Sequence, residues 1–185
     1  MAVRTHGLRK CYANKCQELF WSKFLGREVE GFDALKGIDV RIAAGSCFGI
    51  LGLNGSGKST FLQLLAGVLE PTSGTIETNG KISAILELGS GFNSFFTGRE
   101  NIAFYSRLVG VPPDLVSQAE NAIIEFAEIG DFIDRPLSTY SSGMVARLGF
   151  AARAFLEFDI LILDEVLSVG DAYFQRKCFR MLENM

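Results

Sequence analysis

The residues best suited to chemistry stand together at positions 52–60, which read Gly-Leu-Asn-Gly-Ser-Gly-Lys-Ser-Thr. Glycines at this spacing let successive backbone N–H groups turn inward around an anion, and a helix that follows adds partial positive charge. Lys58 would reach the β- and γ-phosphates of a nucleotide, and the Ser59 hydroxyl would be a Mg²⁺ ligand. The spacing therefore predicts a P-loop that binds a nucleoside triphosphate. Its candidate binding residues are Gly52, Asn54, Gly55, Ser56, Gly57, Lys58, Ser59 and Thr60.

Two carboxylates, Asp164 and Glu165, follow an apolar run at residues 160–163. Asp164, at the tip of such a strand, would bind Mg²⁺ directly or through water. Glu165 would then orient or deprotonate the attacking water. Four apolar residues before an acid are common on their own, so this interpretation depends on the P-loop.

The P-loop needs a strand before it and a helix after it. The apolar residues 46–51 predict that strand, and residues 61–65 predict the helix. Residues 3–10 predict an edge strand that ends at Tyr12, and residues 17–25, which hold the only tryptophan, predict a short amphipathic helix. Further strands are predicted at residues 34–43, 75–77 and 81–86, with turns at 70–74 and 79–80.

From about residue 89 the pattern becomes helical. Thr97 and Glu100 have the spacing of a capping box at the start of a helix. The helices are predicted at residues 98–109, 112–129, 144–158 and 172–184, with a buried parallel strand at 160–163. This order predicts an α/β fold whose core, residues 1–88 and 158–185, carries an inserted α-helical subdomain, residues 89–157.

Composition restricts the class of protein. The net charge of −3 gives no basic surface to recommend nucleic acid as a partner. The longest apolar runs are strand-length, and the N-terminus lacks a basic-then-apolar signal. The four cysteines show no Cys-x-x-Cys spacing, and Cys47, in the apolar run before the P-loop, is expected to be a buried thiol. We therefore expect a reduced, cytosolic protein.

A second motif indicates a family. Residues 140–144, Tyr-Ser-Ser-Gly-Met, precede Asp164 at the spacing of the Leu-Ser-Gly-Gly-Gln signature of ABC-type ATPases, which they resemble at Ser141 and Gly143. With the following Val-Ala-Arg-Leu, they look like the ATPase subunits that export O-antigen, capsular polysaccharide or teichoic acid. A hydroxyl and an exposed N–H at a helix N-terminus bind an anion. The resemblance implies that this anion is the γ-phosphate of ATP bound to the opposite protomer, in a head-to-tail homodimer. An ordinary serine-capped helix is the alternative.

The resemblance to ABC ATPases assigns further residues by position. Tyr12 matches the aromatic residue that stacks on adenine, although an ordinary strand tyrosine is the alternative. Asp171 matches the D-loop and would lie at the dimer interface. In the Q-loop the usual glutamine is missing, and Glu87 is the candidate metal or water ligand in its place; an alignment shifted by one residue would place Leu88 there.

Phe92, Phe95 and Phe96 lie between that loop and the helical subdomain. Packing in the subdomain core is one interpretation. A groove wall that receives a short helix of a membrane permease is the other, and the two can coexist. The family's switch histidine has no counterpart, because His6 lies in the N-terminal strand and the chain ends at Met185. We therefore expect a chain truncated at its C-terminus.

Together these features predict a P-loop NTPase of the ABC ATPase type, with a mixed sheet, that binds ATP and Mg²⁺. The expected function is ATP hydrolysis that drives export of a cell-surface polysaccharide through an integral membrane permease, at the cytoplasmic face of the plasma membrane. The alternatives are a nucleotide-binding module with little hydrolysis and a soluble ABC ATPase that acts without a permease.

Overall fold

The structure is a computed structural model that describes residues 1–13, 31–86, 91–156, 158–164 and 171–185. These residues group into two compact units, Met1–Gly80 and Lys81–Met185. The division into a core of residues 1–88 with 158–185 and a subdomain of residues 89–157 stays a prediction. The helix predicted at residues 17–25 lies outside the described residues.

A three-stranded antiparallel sheet forms the base of the first unit, with the strand order β2-β1-β3. Its strands are β1 (Val3–Ala13), β2 (Gly31–Ile42) and β3 (Ser73–Thr78). The prediction of β1 as an edge strand is wrong, because β3 pairs with its second side, for example at Arg4 and Glu77. The strands predicted at residues 34–43 and 75–77 are confirmed.

One face of this sheet is buried along β1, where Val3, Thr5 and Leu8 are at most 3% exposed. The Thr5 hydroxyl has partners there, because it donates to the Ile38 carbonyl and accepts from the Val40 N–H, both at 2.9 Å. Such partners are what make a buried hydroxyl tolerable.

The pairing of β1 with β2 is interrupted by an extra residue. Lys10 pairs with Leu35, whereas the next residue of β1 pairs with Asp33, so Ala34 on β2 has no partner across the strands. Such a β-bulge bends its strand and increases the local twist. The bulge therefore gives β2 a bend beside its Ala34 carbonyl.

The P-loop is followed by helix α1 (Lys58–Leu65), which confirms the predicted helix. Residues 46–51, however, form no strand, and the prediction of a strand there is wrong. A strand is stabilised by hydrogen bonds to a neighbour, and no strand pairing of the described residues includes this segment. As a result Cys47 is exposed rather than buried, and Phe48 and Leu51 are 50% and 97% exposed.

The second unit combines a parallel strand pair with four helices. β4 (Ile82–Ile85) pairs in parallel with β5 (Ile160–Leu163), which confirms both predicted strands and the parallel direction predicted for residues 160–163. Parallel and antiparallel pairing thus both occur, in different sheets of the described residues. The helices are α2 (Gly98–Leu108), α3 (Pro113–Ala127), α4 (Ser142–Phe155) and α5 (Ala172–Glu183), with 3₁₀ turns at Gly130–Asp134 and Leu137–Thr139.

The first turn of α2 confirms the predicted capping box. The Thr97 hydroxyl accepts from the Glu100 N–H at 3.1 Å, and the Thr97 N–H donates to the Glu100 carboxylate at 2.8 Å. Arg99 in the same turn donates to Asp134 at 2.9 Å and to Glu120. These contacts connect the start of α2 with α3 and with the first 3₁₀ turn.

One hydrophobic core joins β4 to all four helices of the second unit. At its centre Phe126 stacks on Phe150 with the ring centroids 5.9 Å apart, and Phe174 of α5 meets both rings edge-on. Burying one such side chain stabilises the fold by about 1.5–3 kcal/mol. Within the part of the chain that the structure describes, no helix is both long and apolar enough to span a bilayer.

Candidate nucleotide-binding site

The conformation of the P-loop depends on its glycines. Gly55 and Gly57 have φ angles of 80° and 91°, in the left-handed region that favours glycine. A Cβ added to Gly57 would stand 2.5 Å from the Ala34 carbonyl oxygen and 2.9 Å from Leu35 Cδ2. The loop therefore packs against the bulged part of β2 at a distance that only a glycine permits.

The N–H groups at the N-terminus of α1, next to this loop, are not capped by a side chain. Gly57 is the N-cap residue, so no side chain caps the first turn, and no acidic residue lies in it. The first N–H groups of a helix lack intrahelical partners and carry partial positive charge. Lys58 adds a full charge, since its Nζ donates to the carbonyl oxygens of Gly52 and Leu53 at 3.1 Å and thus lies over the loop. This donor set fits the phosphates of a nucleotide.

Tyr12 lies at the end of the buried face of the sheet in the same unit, and its side chain is 40% exposed. Lys10 Nζ stands 5.4 Å from the centre of the Tyr12 ring and donates to the Glu70 carbonyl at 2.8 Å. The Tyr12 ring is thus partly open to solvent, in the part of β1 that lies next to the bulge in β2. Its assignment to the adenine stays a prediction.

The candidate metal ligand Asp164 follows β5 in the second unit. Its N–H donates to the Ile85 carbonyl at 3.2 Å, which continues the parallel pairing to the end of β4. The side chain of Asp164 is half-buried. Glu165, Glu87 and Leu88 lie outside the described residues, so the catalytic and Q-loop assignments stay predictions.

The signature segment, residues 140–144, forms the N-terminus of α4. Ser141 is the N-cap, and its hydroxyl oxygen accepts from the Met144 N–H at 3.2 Å. The hydroxyl proton remains available to an acceptor outside the helix. A Cβ on Gly143 would meet only the Ser141 oxygen, at 3.9 Å, so the space above this glycine is open. The geometry fits both the anion-binding and the serine-capped interpretation.

Tyr140 anchors the signature segment, a role that the sequence analysis did not assign. Its hydroxyl donates to the Phe132 carbonyl at 2.5 Å, and the two rings meet edge-on with centroids 6.0 Å apart. Burial raises the pKa of the Tyr140 hydroxyl. A Cβ on Gly98 would overlap that hydroxyl oxygen, so a glycine at the start of α2 makes room for the anchor.

An ion pair that the sequence analysis also missed joins α4 to the start of α5. Arg147 donates to Asp171 Oδ2 at 2.6 Å, while Asp171 Oδ1 accepts from the Phe174 N–H at 2.9 Å as the N-cap of α5. The hydrogen bond from Phe174 and the charge of Arg147 hold the pKa of Asp171 below its usual value. The spacing of 24 residues gave no signal in the sequence. The place of Asp171 in a dimer interface stays a prediction.

The three phenylalanines before α2 were predicted either to pack in the subdomain core or to line a groove for a permease helix, and they differ in their surroundings. Phe92 packs edge-on against Tyr105 at 6.2 Å, and Phe96 packs edge-on against Phe104 at 5.8 Å. Phe95, in contrast, is 83% exposed. Packing within the unit thus accounts for Phe92 and Phe96, whereas Phe95 faces solvent.

Comparison with known proteins places the chain in a family. The profile of the ABC transporter family matches residues 35–168. The O-antigen export system ATP-binding protein RfbB of Klebsiella pneumoniae is 48% identical over 149 residues, which cover 80% of this chain and 61% of RfbB. The teichoic acids export ATP-binding protein TagH of Enterococcus faecalis is 43% identical over 183 residues, 96% of this chain and 40% of TagH. The chain belongs to the ABC transporter family.

A solved structure supports the same fold. The ATP-binding cassette MJ0796, in a dimeric post-hydrolysis state bound to ADP and phosphate, matches 98% of this chain and 82% of its own with a TM-score of 0.77. At 18% sequence identity, this likeness concerns the fold alone. The fold is therefore the α/β P-loop fold of ABC ATPase cassettes. The ABC transporter protein AbcA of Aeromonas salmonicida is 44% identical over 94% of this chain, which spans 56% of AbcA.

Proposed function

We propose that this chain is the ATP-binding and ATP-hydrolysing part of an ABC transporter that exports a cell-surface polysaccharide. ATP binding is inferred from the N-terminus of α1, which no side chain caps. The preceding loop has glycines with left-handed φ angles, and Lys58 donates to the Gly52 carbonyl in that loop. The polysaccharide is inferred from the relatives RfbB and TagH, whose names specify O-antigen and teichoic acid export. The proposed substrate is therefore an O-antigen, a capsular polysaccharide or a teichoic acid.

In this proposal the P-loop N–H groups and Lys58 bind the β- and γ-phosphates. Ser59 and Asp164 would hold Mg²⁺, which neutralises charge on the phosphate oxygens when it is bound. Glu165 would orient the attacking water and accept its proton. Glu87 would contribute a contact to the metal or to that water, and Tyr12 would stack on the adenine.

The hydrolytic site would be completed by a second copy of the chain in a head-to-tail dimer. Ser141 and the Gly143 N–H of that copy would donate to the γ-phosphate, since both lie at the first turn of α4 with open space above Gly143. The anchor from Tyr140 to Phe132 would keep this donor pair in place.

A membrane permease is the proposed partner of the second unit. Phe95 before α2 is 83% exposed, and Leu108 and Val109 at the other end of the helix are 62% and 44% exposed. Exposed apolar side chains at the ends of α2 are candidates for contact with a helix of the permease. Binding to such a permease would hold the chain at the cytoplasmic face of the plasma membrane. Co-purification with a polytopic membrane protein tests this, and a Phe95→Ser variant should weaken it. Failure to co-purify in several detergents would contradict it.

Single-turnover hydrolysis of ATP by the purified chain with Mg²⁺ tests the enzymatic part. We expect a hydrolysis rate per chain that rises with chain concentration, because each site needs residues of a second copy. Glu165→Gln should keep ATP binding and lose hydrolysis, whereas Lys58→Ala should lose both.

The outcomes separate the candidate functions. ATP binding without hydrolysis at any chain concentration would favour the nucleotide-binding module over the ATPase. Equal ATP affinity in the native chain and in Lys58→Ala would contradict the P-loop as the binding site and with it the whole proposal.

A further inference from the structure

The buried face of the first unit's sheet ends in two exposed aromatic rings. Tyr12 of β1 pairs directly with Phe32 of β2, and the two side chains are 40% and 60% exposed. Directly opposed residues of antiparallel strands lie on the same face, with Cβ atoms about 5 Å apart. The strand predicted from the sequence began at residue 34, so Phe32 lay outside it, whereas the observed β2 begins at Gly31.

These two rings share their face of the sheet with the residue that supports the P-loop. Lys10 and Tyr12 are two residues apart on β1 and therefore point to the same side. Leu35 pairs with Lys10, so Leu35 also lies on that side, and its Cδ2 atom packs against Gly57. The P-loop thus lies against the same face that carries Phe32.

The spacing along β2 suits a nucleotide. Phe32 precedes Leu35 by three residues, with the bulge between them, which separates the two by roughly 7–10 Å at the rise of a strand. A ribose and one or two phosphates span such a distance. A base attached to phosphates at Gly57 would therefore reach the two aromatic rings.

Lys10 limits what Tyr12 can offer to that base. Its ammonium lies over the Tyr12 ring at 5.4 Å and is fixed by its hydrogen bond to the Glu70 carbonyl. One face of the tyrosine ring is thus occupied by a cation. Phe32, 60% exposed, has more of its surface available to a ligand than Tyr12 has.

We propose that Phe32 is a second ring against which the base of the P-loop nucleotide packs, beside Tyr12. The proposal rests on the proposed function, since it needs a nucleotide at Gly57. Stacking on an aromatic ring tolerates any base and is sensitive to removal of the ring. Phe32 would therefore contribute to the affinity for ATP and for GTP alike, without distinguishing them.

Isothermal titration of the full chain with ATP, GTP and inorganic tripolyphosphate tests this. Phe32→Ala should weaken binding of ATP and of GTP by about ten-fold and leave the affinity for tripolyphosphate unchanged, because tripolyphosphate carries no base. Phe32→Trp should bind ATP with about the native affinity, because it keeps an aromatic ring. Phe32→Leu, which is apolar but has no ring, should have an affinity between those of the native chain and Phe32→Ala. Phe179→Ala removes another half-exposed phenylalanine, in the second unit, and should change neither affinity.

The controls separate this inference from the proposed function. If the native chain binds neither ATP nor tripolyphosphate, both fail. If ATP binds and Tyr12→Ala weakens it while Phe32→Ala leaves ATP affinity intact, only the role of Phe32 is overturned. An equal loss for ATP and tripolyphosphate in Phe32→Ala would also overturn it, since that result indicates a distorted P-loop.

Discussion

Two helices of this chain begin at candidate phosphate sites, and their N-termini are built differently. At α1 the N-cap is Gly57, in the left-handed conformation, and no side chain caps the helix. At α4 the N-cap is Ser141, whose hydroxyl oxygen is already used by the Met144 N–H. Neither first turn contains an acidic residue.

The difference indicates a division of labour between the two termini. α1 presents uncapped N–H groups together with the formal charge of Lys58, so it is equipped to bind a triphosphate without help. α4 presents one hydroxyl proton and the partial charge of its helix, which suffices for a last contact to an anion held elsewhere. Changes at α1 should therefore affect nucleotide affinity, and changes at α4 should affect hydrolysis.

The largest effect is expected for Lys58→Ala. Loss of the charged hydrogen bonds to the phosphates should weaken ATP binding by about 3 kcal/mol, or about 100-fold, as measured by calorimetric titration. Lys177→Ala is the matched control, since Lys177 also donates to two acceptors, the Phe126 carbonyl and Glu128, but in the second unit. A comparable loss of ATP affinity in Lys177→Ala would contradict the assignment of nucleotide binding to the N-terminus of α1.

Replacing one glycine at each terminus should have opposite effects on stability. Gly57→Ala places a Cβ in a left-handed residue and against the Ala34 carbonyl, so we expect a loss of about 2 kcal/mol or more and weaker ATP binding. Gly143→Ala lies in helical conformation with open space, and should gain about 0.5 kcal/mol while slowing hydrolysis. Urea unfolding and single-turnover assays measure the pair. An unchanged rate of hydrolysis in Gly143→Ala would remove α4 from the mechanism.

Two substitutions at Ser141 separate capping from catalysis. Ser141→Ala should cost about 1 kcal/mol of stability by loss of the cap. Ser141→Asp keeps the cap, since aspartate is an equally good N-cap, but its charge would repel the γ-phosphate. We expect Ser141→Asp to unfold like the native chain and to hydrolyse ATP no faster than Ser141→Ala. Normal hydrolysis by Ser141→Asp would show that Ser141 is a cap and nothing more.

The smallest effect concerns acid stability at the start of α5. Because the folded pKa of Asp171 is lowered, its contribution to stability is present above the unfolded pKa and is lost as pH falls through the folded pKa. Asp171→Asn keeps an N-cap and loses the charge. Its unfolding midpoint should therefore fall less between about pH 5 and pH 2 than that of the native chain.

Arg147→Ala distinguishes the two causes of that pKa shift. It should reduce the acid dependence only in part, because the Phe174 N–H has the larger influence on Asp171. An acid dependence in Arg147→Ala equal to that of Asp171→Asn would contradict this order of causes. Thermal unfolding at several pH values measures both variants.

The features that sequence alone predicted correctly are those that neighbouring residues determine. The helix after the P-loop, the capping box of Thr97 with Glu100, and the parallel strand at residues 160–163 each follow from short patterns. A glycine that needs φ > 0 and a threonine that caps a helix depend on the local backbone. Such patterns need no knowledge of distant partners.

The features that sequence missed depend on partners far along the chain. Residues 46–51 are as apolar as a strand, but no described strand pairs with them. β1 is central only because β3, some 70 residues later, pairs with it. The contacts of Tyr140 with Phe132 and of Arg147 with Asp171 are likewise side-chain pairings that no short pattern encodes.

Ala34 contributes to the packing of the P-loop but not to the strand pairing of the sheet, because it has no partner on β1. If residue 34 were deleted, Lys10 would still face Leu35 and Cys11 would still face Asp33, so the pairing of β1 with β2 would keep its register. What would vanish is the carbonyl against which Gly57 rests. In evolutionary terms, deletion of this one codon would spare the fold of the sheet and impair the nucleotide loop. Selection on the length of β2 at this position would therefore act through function rather than through folding.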